Sequence, residues 1–117
     1  MSPTAPALRL LLTPPRAGAE NMALDEALLA RAGATGEGVL RVYAWSRPTL
    51  SFGRNQTARG LYAPERLAAR GVDVVRRPTG GRAILHDREV TYSVTAPLAP
   101  GAPFGGGSLA DVYARIN

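Results

Sequence analysis

The sequence predicts a small α/β (α+β) domain in which short strands and helices alternate along one chain. Its 117 residues are 45% hydrophobic and 20% charged, which suits one globular domain or part of a larger one. Several short runs are β-branched or alternate between apolar and polar residues, as half-buried strands do. Between them lie segments with apolar residues at helical spacing. We find no internal repeat and no second domain, so we assign residues 1–117 to one domain.

The first two predicted elements are a strand and a long helix. Residues 8–12 form an apolar run that Pro14 and Pro15 end, which predicts a strand. Residues 19–31 are mostly good helix formers with acids in the early turns, and Gly33 follows as a stop signal. We expect this helix to pack on the core through one stripe. The stripe consists of Leu24, Ala27, Leu28 and Arg31.

A predicted loop over residues 34–38 leads into two further strands. Residues 39–45 and 49–53 have strand patterns, and Ser46-Arg47-Pro48 separates them. The short separation predicts a β-hairpin. The first of these strands carries Leu40, Val42 and Ala44 on one face.

The second half of the chain predicts one short helix and three strands. Pro64 suits the first turn of a helix over 64–71, and Gly71 suits its end. Strands are predicted over 72–76 and 82–86. A last strand, 90–95, has Val90, Tyr92 and Val94 on one face and Thr91, Ser93 and Thr95 on the other.

The C-terminal residues predict a loop and then a helix. Residues 96–107 are rich in proline and glycine. Ser108 and Asp111 then have the spacing of a helix start. The apolar stripe of this helix is Leu109, Val112, Tyr113 and Ile116. Because the chain stops at Asn117 without a helix stop signal, we expect the domain to be incomplete.

The composition narrows the function classes. There is no cysteine, which excludes disulfides, thiolate metal sites and a thiol nucleophile. All fourteen basic residues are arginine, which excludes a catalytic lysine. The net charge of +5 suits nucleic acid or an acidic protein partner, but the arginines are scattered, which argues against nucleic-acid binding. No apolar run approaches the ~20 residues of a membrane span, and no signal peptide is apparent. We therefore expect a cytoplasmic protein without membrane contact.

The segment 74–87 is the main candidate for a ligand site. A β-branched run leads into Arg76 and Arg77, which supply charge and forked donors for a phosphate or carboxylate. Gly80 and Gly81 allow backbone N–H groups to approach a ligand closely. The segment therefore predicts a cradle for an anionic group. The alternative is an ordinary hairpin turn with solvated arginines.

Five other side chains invite a functional interpretation. His86 is the only histidine of the chain. Without an identifiable acid or nucleophile partner, a lone histidine is more often structural, so we take it as a binding-site candidate and not as a base. Trp45 and Phe52 are predicted core residues. Asn55 and Gln56 are either polar pocket groups or plain loop residues. The residues assign no catalytic group and no metal ligand.

Three motifs in order carry a resemblance to a known family. They are residues 21–28 (NMALDEAL), 45–56 (WSRPTLSFGRNQ) and 76–87 (RRPTGGRAILHD), the last followed by Thr91-Tyr92-Ser93. Together they resemble the N-terminal half of the lipoate–protein ligase and octanoyltransferase family, relatives of biotin–protein ligase. The Arg-Arg-x-Thr-Gly-Gly-Arg-Ala-x-Leu-His-Asp pattern is nearest to the cysteine-dependent octanoyltransferases.

The resemblance implies a fold, an activity and roles for several residues. The fold is a mixed, largely antiparallel sheet flanked by helices, here incomplete, and the activity is acyl attachment to a lysine of a lipoyl carrier domain. Arg77 matches an arginine that contacts the nucleotide in ATP-using ligases. Gly80 and Gly81 give close backbone approach, and His86 lies at the pocket wall. The segment that wraps the acyl-adenylate corresponds to Arg82, Ala83, Ile84 and Leu85.

The resemblance also implies substrates and partners. Lipoate or an octanoyl group is the substrate and no cofactor is bound covalently, while ATP with magnesium is implied if the chemistry is that of a ligase. The expected protein partners are lipoyl carrier domains of 2-oxoacid dehydrogenases or the glycine cleavage H protein. An acyl carrier protein and a second chain that completes the domain are further candidates.

The sequence departs from the family in the residue that decides the chemistry. Ligases carry an essential lysine, and the octanoyltransferases a nucleophilic cysteine, in the second half of the domain; this chain has neither. We therefore expect the chain alone to be inactive. Three interpretations stay open: part of a lipoyl-attachment enzyme of octanoyltransferase or ligase type, a non-catalytic acyl-binding module, and a basic nucleic-acid-binding domain.

Overall fold

The computed structural model describes residues 8–97 as six strands and two helices. The predicted loop beyond residue 97 and the predicted last helix lie outside the described residues. In chain order the elements are β1 Leu8–Leu12, α1 Gly18–Thr35, β2 Gly38–Ala44, β3 Thr49–Phe52, α2 Pro64–Ala69, β4 Asp73–Arg76, β5 Ile84–His86 and β6 Val90–Thr95.

The strands form two three-stranded mixed sheets. The first has the order β1-β2-β6, with β1 parallel and β6 antiparallel to β2. The second has the order β4-β3-β5, with β4 parallel and β5 antiparallel to β3. Helix α1 packs against β2 and β6 of the first sheet and against β4 of the second. The predicted α+β class, with mixed sheets and helices packed on them, is confirmed.

The predicted hairpin of β2 and β3 is wrong. Residues Ser46-Arg47-Pro48 carry the chain from the first sheet to the second instead of turning it back. β3 is the central strand of its sheet: Thr49 lies opposite both Asp73 of β4 and His86 of β5. Because both edges of β3 are already paired, β2 has no edge to join.

Helix α1 is longer than predicted and buries a different face. It runs through Gly33 to Thr35 and ends at Gly36, whose φ of 74° is left-handed and whose N–H donates to Ala32 O. Of the predicted stripe, Leu28 is buried whereas Ala27 is exposed. The buried positions of the helix are Gly18, Asn21, Met22, Asp25, Leu28 and Ala32.

The two faces of β6 are the reverse of the usual pattern. Val90 is 78% exposed and Tyr92 55% exposed, although both belong to the apolar face. The hydroxyl face is the more buried one: Thr95 is buried, Ser93 Oγ donates to the buried Asp25 carboxylate, and Thr91 Oγ1 donates to the half-buried Glu89.

The interior is built around three large side chains. Met22 of α1 packs against Tyr43 and Trp45, and Val75 of β4 packs against the same cluster. The rings of Tyr43 and Trp45 lie 5.5 Å apart at a tilt. Burial of Trp45 and Phe52 confirms their predicted core positions. No helix within residues 8–97 has the length and apolar character needed to cross a bilayer.

Candidate functional site

A cavity of about 650 Å³ lies where α1, both sheets and the loop between β4 and β5 meet. This size falls in the range of small-molecule sites. Buried side chains of α1 and β2 form its floor, and the exposed loop forms its rim. The lining residues are Met22, Asp25, Leu29, Tyr43, Trp45, Ile84, His86, 77–82 and 91–95.

The loop after β4 has a conformation that glycine makes possible. Gly81 has a φ of 101°, which L side chains rarely adopt, and a Cβ there would also lie 3.2 Å from Nη2 of Arg77. The Gly81 carbonyl rests against the α-carbon of Gly53, where any Cβ would overlap it. At Gly80, by contrast, a Cβ would meet no neighbouring atom within 4 Å. The protein itself therefore requires glycine at 53 and 81.

Arg77 lines the cavity and holds this loop. Its Nη1 donates to the Ser51 carbonyl at 2.9 Å and to Ser51 Oγ at 2.6 Å. Its Nη2 donates to the carbonyls of Gly80 and Arg82 at 3.0 and 2.8 Å. Burial lowers the pKa of the Arg77 guanidinium. Both amino groups are thus engaged by the loop and β3, which makes Arg77 a brace for the rim.

Arg76 points away from the cavity. Its Nη1 donates to the carbonyls of Gly53 and Gln56, each at 2.7 Å, and thereby closes the loop after β3. Gln56 takes part in the same loop, since its Oε1 accepts from the Gly53 N–H at 3.1 Å. Neither Asn55 nor Gln56 lines the cavity. This agrees with the plain-loop interpretation of these two residues.

His86 is buried in the cavity wall and has partners on both ring nitrogens. Nε2 lies 2.8 Å from Ser51 Oγ, and Nδ1 lies 3.1 Å from Glu89 Oε1. Its ring stacks on that of Trp45 with centroids 4.2 Å apart. Burial alone would raise the pKa of Glu89, but hydrogen bonds from Thr91 and His86 outweigh it and lower that pKa.

A buried polar cluster at the cavity floor was not predicted from the sequence. The Asp25 carboxylate accepts from Arg41 Nη1 at 2.9 Å, from Tyr43 OH at 3.1 Å and from Ser93 Oγ at 2.8 Å. Arg41 also donates to the side chain of Asn21 at 2.6 Å. Burial and the nearby Asp25 charge raise the pKa of Tyr43.

The signal for this cluster is the spacing of its members in α1. Asn21 and Asp25 are four residues apart and share a face with Leu28 and Ala32. A stripe defined by apolar residues alone does not include these two polar positions. The buried face of α1 can be predicted only if Asn21 and Asp25 are assumed to have a buried hydrogen-bond partner, which is Arg41.

The structure brings six of the nine predicted site residues into the cavity wall. They are Arg77, Gly80, Gly81, Arg82, Ile84 and His86. Three others, Arg76, Ala83 and Leu85, do not line it. In β5 this follows from strand alternation, since Ile84 and His86 share one face and Leu85 points to the other. Among residues 8–97 no group of three His, Cys, Asp or Glu side chains could hold a metal ion.

Comparison with known proteins places the chain in a family. The sequence profile of the lipoyl protein ligase A/B catalytic domain matches residues 17–114. The chain belongs to this family. The predicted family membership is thereby confirmed, and the glycine loop and cavity described above lie within the matched part of the lipoyl protein ligase A/B domain.

Relatives at about half identity are octanoyltransferases. The chain is 48% identical over 101 residues to octanoyltransferase LipM of Carboxydothermus hydrogenoformans, covering 86% of this chain and 37% of that protein. It is 50% identical over 112 residues to octanoyltransferase LipM of Kyrpidia tusciae, covering 93% of this chain and 39% of the relative. The chain therefore spans under two fifths of the length of these relatives.

Solved structures with the same fold are lipoate protein ligases. A putative lipoate protein ligase from T. acidophilum with bound lipoic acid is 28% identical with a TM-score of 0.63, over 74% of this chain and 36% of that one. A bi-partite lipoate protein ligase from Thermoplasma acidophilum, studied with its E2 lipoyl domain, is 27% identical with a TM-score of 0.66, over 77% and 36%. A lipoate-protein ligase A bound with ATP is 30% identical with a TM-score of 0.61, over 74% and 36%.

Proposed function

We propose that this protein acts in protein lipoylation and that its cavity holds the acyl chain of an octanoyl or lipoyl group. The reaction is acyl transfer to the ε-amino group of a lysine on a lipoyl carrier domain. With a thioester donor, the amine attacks the acyl carbonyl, a C–N bond forms, and the C–S bond breaks as the thiol leaves. Kinship to octanoyltransferases at about half identity favours an octanoyl thioester as the donor.

The observation that carries the proposal is the combination of an apolar cavity with a backbone-lined rim. Met22, Leu29, Trp45 and Ile84 supply apolar wall, as an eight-carbon chain requires. Gly80 and Gly81 place main chain at the exposed rim, where the polar acyl head would lie. Gly80 fits this role because nothing within the protein requires a glycine there.

Arg82 is the arginine best placed for an anionic head group. It is exposed at the rim and lines the cavity, whereas both amino groups of Arg77 are engaged by the loop and Ser51. We therefore assign charge recognition to Arg82 and loop support to Arg77. This assignment revises the role that the family resemblance implies for Arg77.

Acyl binding can be read from Trp45, the only tryptophan of the chain, because its ring lines the cavity. Titration with octanoic or lipoic acid should change its fluorescence saturably, and butyric acid should bind more weakly because it buries less apolar surface. Ile84→Glu places a charge in the wall and should abolish binding. Leu85→Glu, next to it on the outer face, is the matched control. Equal binding by both variants would show that the acyl chain does not bind in this cavity.

A second candidate is an acyl-binding module without chemistry. It is favoured by the composition, since the chain holds neither cysteine nor lysine. Both candidates predict acyl binding by the titration above. They differ in the response to an added polypeptide that supplies the cysteine or lysine used by the family. Only part of an acyltransferase should then add acyl mass from a donor to a carrier domain, which intact-mass measurement detects.

A further inference from the structure

An unbroken chain of hydrogen bonds joins the interior of the first sheet to the glycine loop. Trp45 Nε1 donates to Thr91 Oγ1 at 2.8 Å, and Thr91 Oγ1 donates to Glu89 Oε2 at 2.7 Å. The other carboxylate oxygen of Glu89 lies 3.1 Å from Nδ1 of His86. We call these groups, together with Ser51 and Arg77, the Glu89 chain.

The second half of the Glu89 chain reaches the rim. His86 Nε2 lies 2.8 Å from Ser51 Oγ, which lies 2.6 Å from Arg77 Nη1. Arg77 Nη2 then donates to the carbonyls of Gly80 and Arg82. Each of these contacts has hydrogen-bond length. The hydrogen bonds of the Glu89 chain are therefore continuous from β6 to the loop that borders the cavity.

The donors and acceptors of the Glu89 chain fit only one arrangement in which every proton has a partner. Arg77 can only donate, so Ser51 Oγ accepts from it and has one proton left to give. The Glu89 carboxylate can only accept, so His86 Nδ1 carries a proton and donates. In a neutral ring Nε2 is then the acceptor for the Ser51 proton. A ring protonated on both nitrogens would turn Nε2 into a second donor to Ser51 and deprive that proton of its acceptor.

Packing holds the histidine ring in the plane that this arrangement requires. The ring stacks on Trp45 with an interplanar angle of 17°. Both His86 and Ser51 are buried, at 5% and 0% exposure. Water therefore cannot readily replace the hydrogen bond between them. Trp45 in turn is tied to Glu89 through Thr91.

We propose that His86 is a positioning residue. Its neutral ring, protonated on Nδ1, is held by Glu89 and in turn orients Ser51 and Arg77, which hold the glycine loop. It contacts no reacting atom in this role. Its effect is to fix the carbonyls of Gly80 and Arg82, and with them the shape of the rim. The link to acyl binding rests on the proposed function, whereas the link to loop geometry does not.

Nitrogen NMR tests the arrangement directly, because the chain contains a single histidine. With ¹⁵N-histidine in the intact 117-residue protein, Nδ1 should have the shift of a protonated ring nitrogen and Nε2 that of an unprotonated one. Ser51→Ala should move the Nε2 signal and leave Nδ1 protonated. Glu89→Gln, whose amide can donate, should shift protonation toward Nε2. A purely structural role would predict neither response.

The backbone amides of Gly80 and Gly81 show whether the hydrogen bonds of the Glu89 chain affect the glycine loop. Ser51→Ala and Glu89→Gln should both shift the amide signals of Gly80 and Gly81 and speed their hydrogen exchange. Matched controls are Ser46→Ala and Glu65→Gln, which change the same residue types at exposed positions away from the cavity. Both controls should leave ring and loop signals unchanged.

Lipoic acid binding, read from Trp45 fluorescence, supplies the functional arm. Ser51→Ala should weaken binding roughly tenfold, as loss of one bridging hydrogen bond implies. If the parent protein binds no lipoic acid, the proposed function fails while the NMR arm still decides the positioning role. A ring protonated on both nitrogens or on Nε2 alone, or loop signals indifferent to both Ser51→Ala and Glu89→Gln, would overturn the positioning role.

Discussion

The carboxylate of Asp25 lies 2.9 Å from Nη1 of Arg41, and their side chains are 8% and 0% exposed. Asp25 also accepts from Tyr43 and Ser93, so one carboxylate ties α1 to β2 and β6. Removing one partner of such a pair leaves a buried charge without compensation. Asp25→Asn should therefore lower the free energy of unfolding in urea by about 3–5 kcal/mol.

The control for this change is Asp73→Asn. Asp73 pairs with Arg47 at 3.4 Å, where the two side chains are 26% and 52% exposed. Exposed pairs contribute about 0–1 kcal/mol, so this variant should remain close to the parent. Equal loss of stability in the two variants would show that burial of the Asp25–Arg41 pair is not what matters.

The two glycines of the rim should respond differently to alanine. Gly81→Ala forces a side chain onto a φ of 101° and toward Arg77, which should cost roughly 1–3 kcal/mol of unfolding free energy. Gly80→Ala meets open space and should change stability by about 0.5 kcal/mol or less. Urea unfolding measures both. Lipoic acid titration then separates the roles, because weakened binding by a stable Gly80→Ala variant would place ligand against that backbone.

The glycine loop was predictable because its parts are contiguous. Its main residues lie within ten positions: Arg77, Gly80, Gly81 and His86. The paired glycines themselves indicate a backbone without side chains at the loop. The Asp25 cluster was not predictable, since Ser93 lies 68 residues from Asp25 and the members of the cluster come from three elements, α1, β2 and β6. A polar helix residue is read as outward-facing until a buried partner is known, and that partner is set by tertiary packing.

Strand patterns showed which residues share a face but not which face lies inside. In β6 the apolar Val90 and Tyr92 are exposed, while Thr91 and Ser93 reach interior acceptors. Ser93 faces inward because its hydroxyl donates to the buried Asp25 carboxylate, an acceptor that the strand pattern does not reveal. The hairpin of β2 and β3 failed for a related reason, since a short connection does not reveal that β3 pairs with β4 and β5 on both edges.

Glu89 should make stability depend on pH in the acid range. Burial opposes its ionisation, but hydrogen bonds from Thr91 and His86 prevail and hold its folded pKa below the ordinary 4.5. The unfolded state then binds more protons, so the stabilisation is fully present above that ordinary value and is lost as pH falls through the folded pKa. Urea unfolding between about pH 6 and pH 3 should show this loss.

The chain contains other carboxyl groups, so the effect of Glu89 must be measured as a difference between variants. Glu89→Gln should flatten part of the acid slope of the unfolding free energy, whereas Glu65→Gln, on the exposed surface, should retain it. Identical slopes for the two variants would mean that Glu89 is not held ionised by its neighbours.

Arg82 should recognise charge and Arg77 should not. Arg82→Gln is expected to weaken lipoic acid binding up to about fivefold, in keeping with an exposed charge contact. Salt should weaken binding by the parent protein and have less effect on the variant, because exposed charges are screened. Arg77→Lys should instead disturb the amide signals of Gly80 and Gly81, since one ammonium cannot reproduce four bonds from a fork. Salt-dependent binding that survives in Arg82→Gln would move the anion contact elsewhere.

The 117 residues alone should transfer no acyl group. Covalent transfer of the octanoyltransferase kind requires a thiolate that can be acylated, and the sequence contains no cysteine. The ligase route, by family resemblance, requires a lysine, and the sequence contains none. Arginine is a poor substitute because it stays protonated and its fork has a different geometry. Among the described residues, the two best-placed hydroxyl and imidazole groups are also unsuited, since Ser51 is fully buried and His86 is already bonded to Glu89.

Intact mass measures this prediction. Purified protein is incubated with a lipoyl domain and, in separate reactions, with an octanoyl carrier thioester or with ATP, magnesium and lipoic acid. We expect no mass increase on the lipoyl domain above a reaction without the protein, although Trp45 fluorescence should report acyl binding under the same conditions. Binding without transfer would show that the glycine loop and cavity hold the acyl group while the group that transfers it is absent from these residues. An octanoyl or lipoyl adduct on the carrier lysine would instead mean that the residues around the cavity suffice for chemistry, and Ser51→Ala and His86→Asn would then be the first variants to test for its loss.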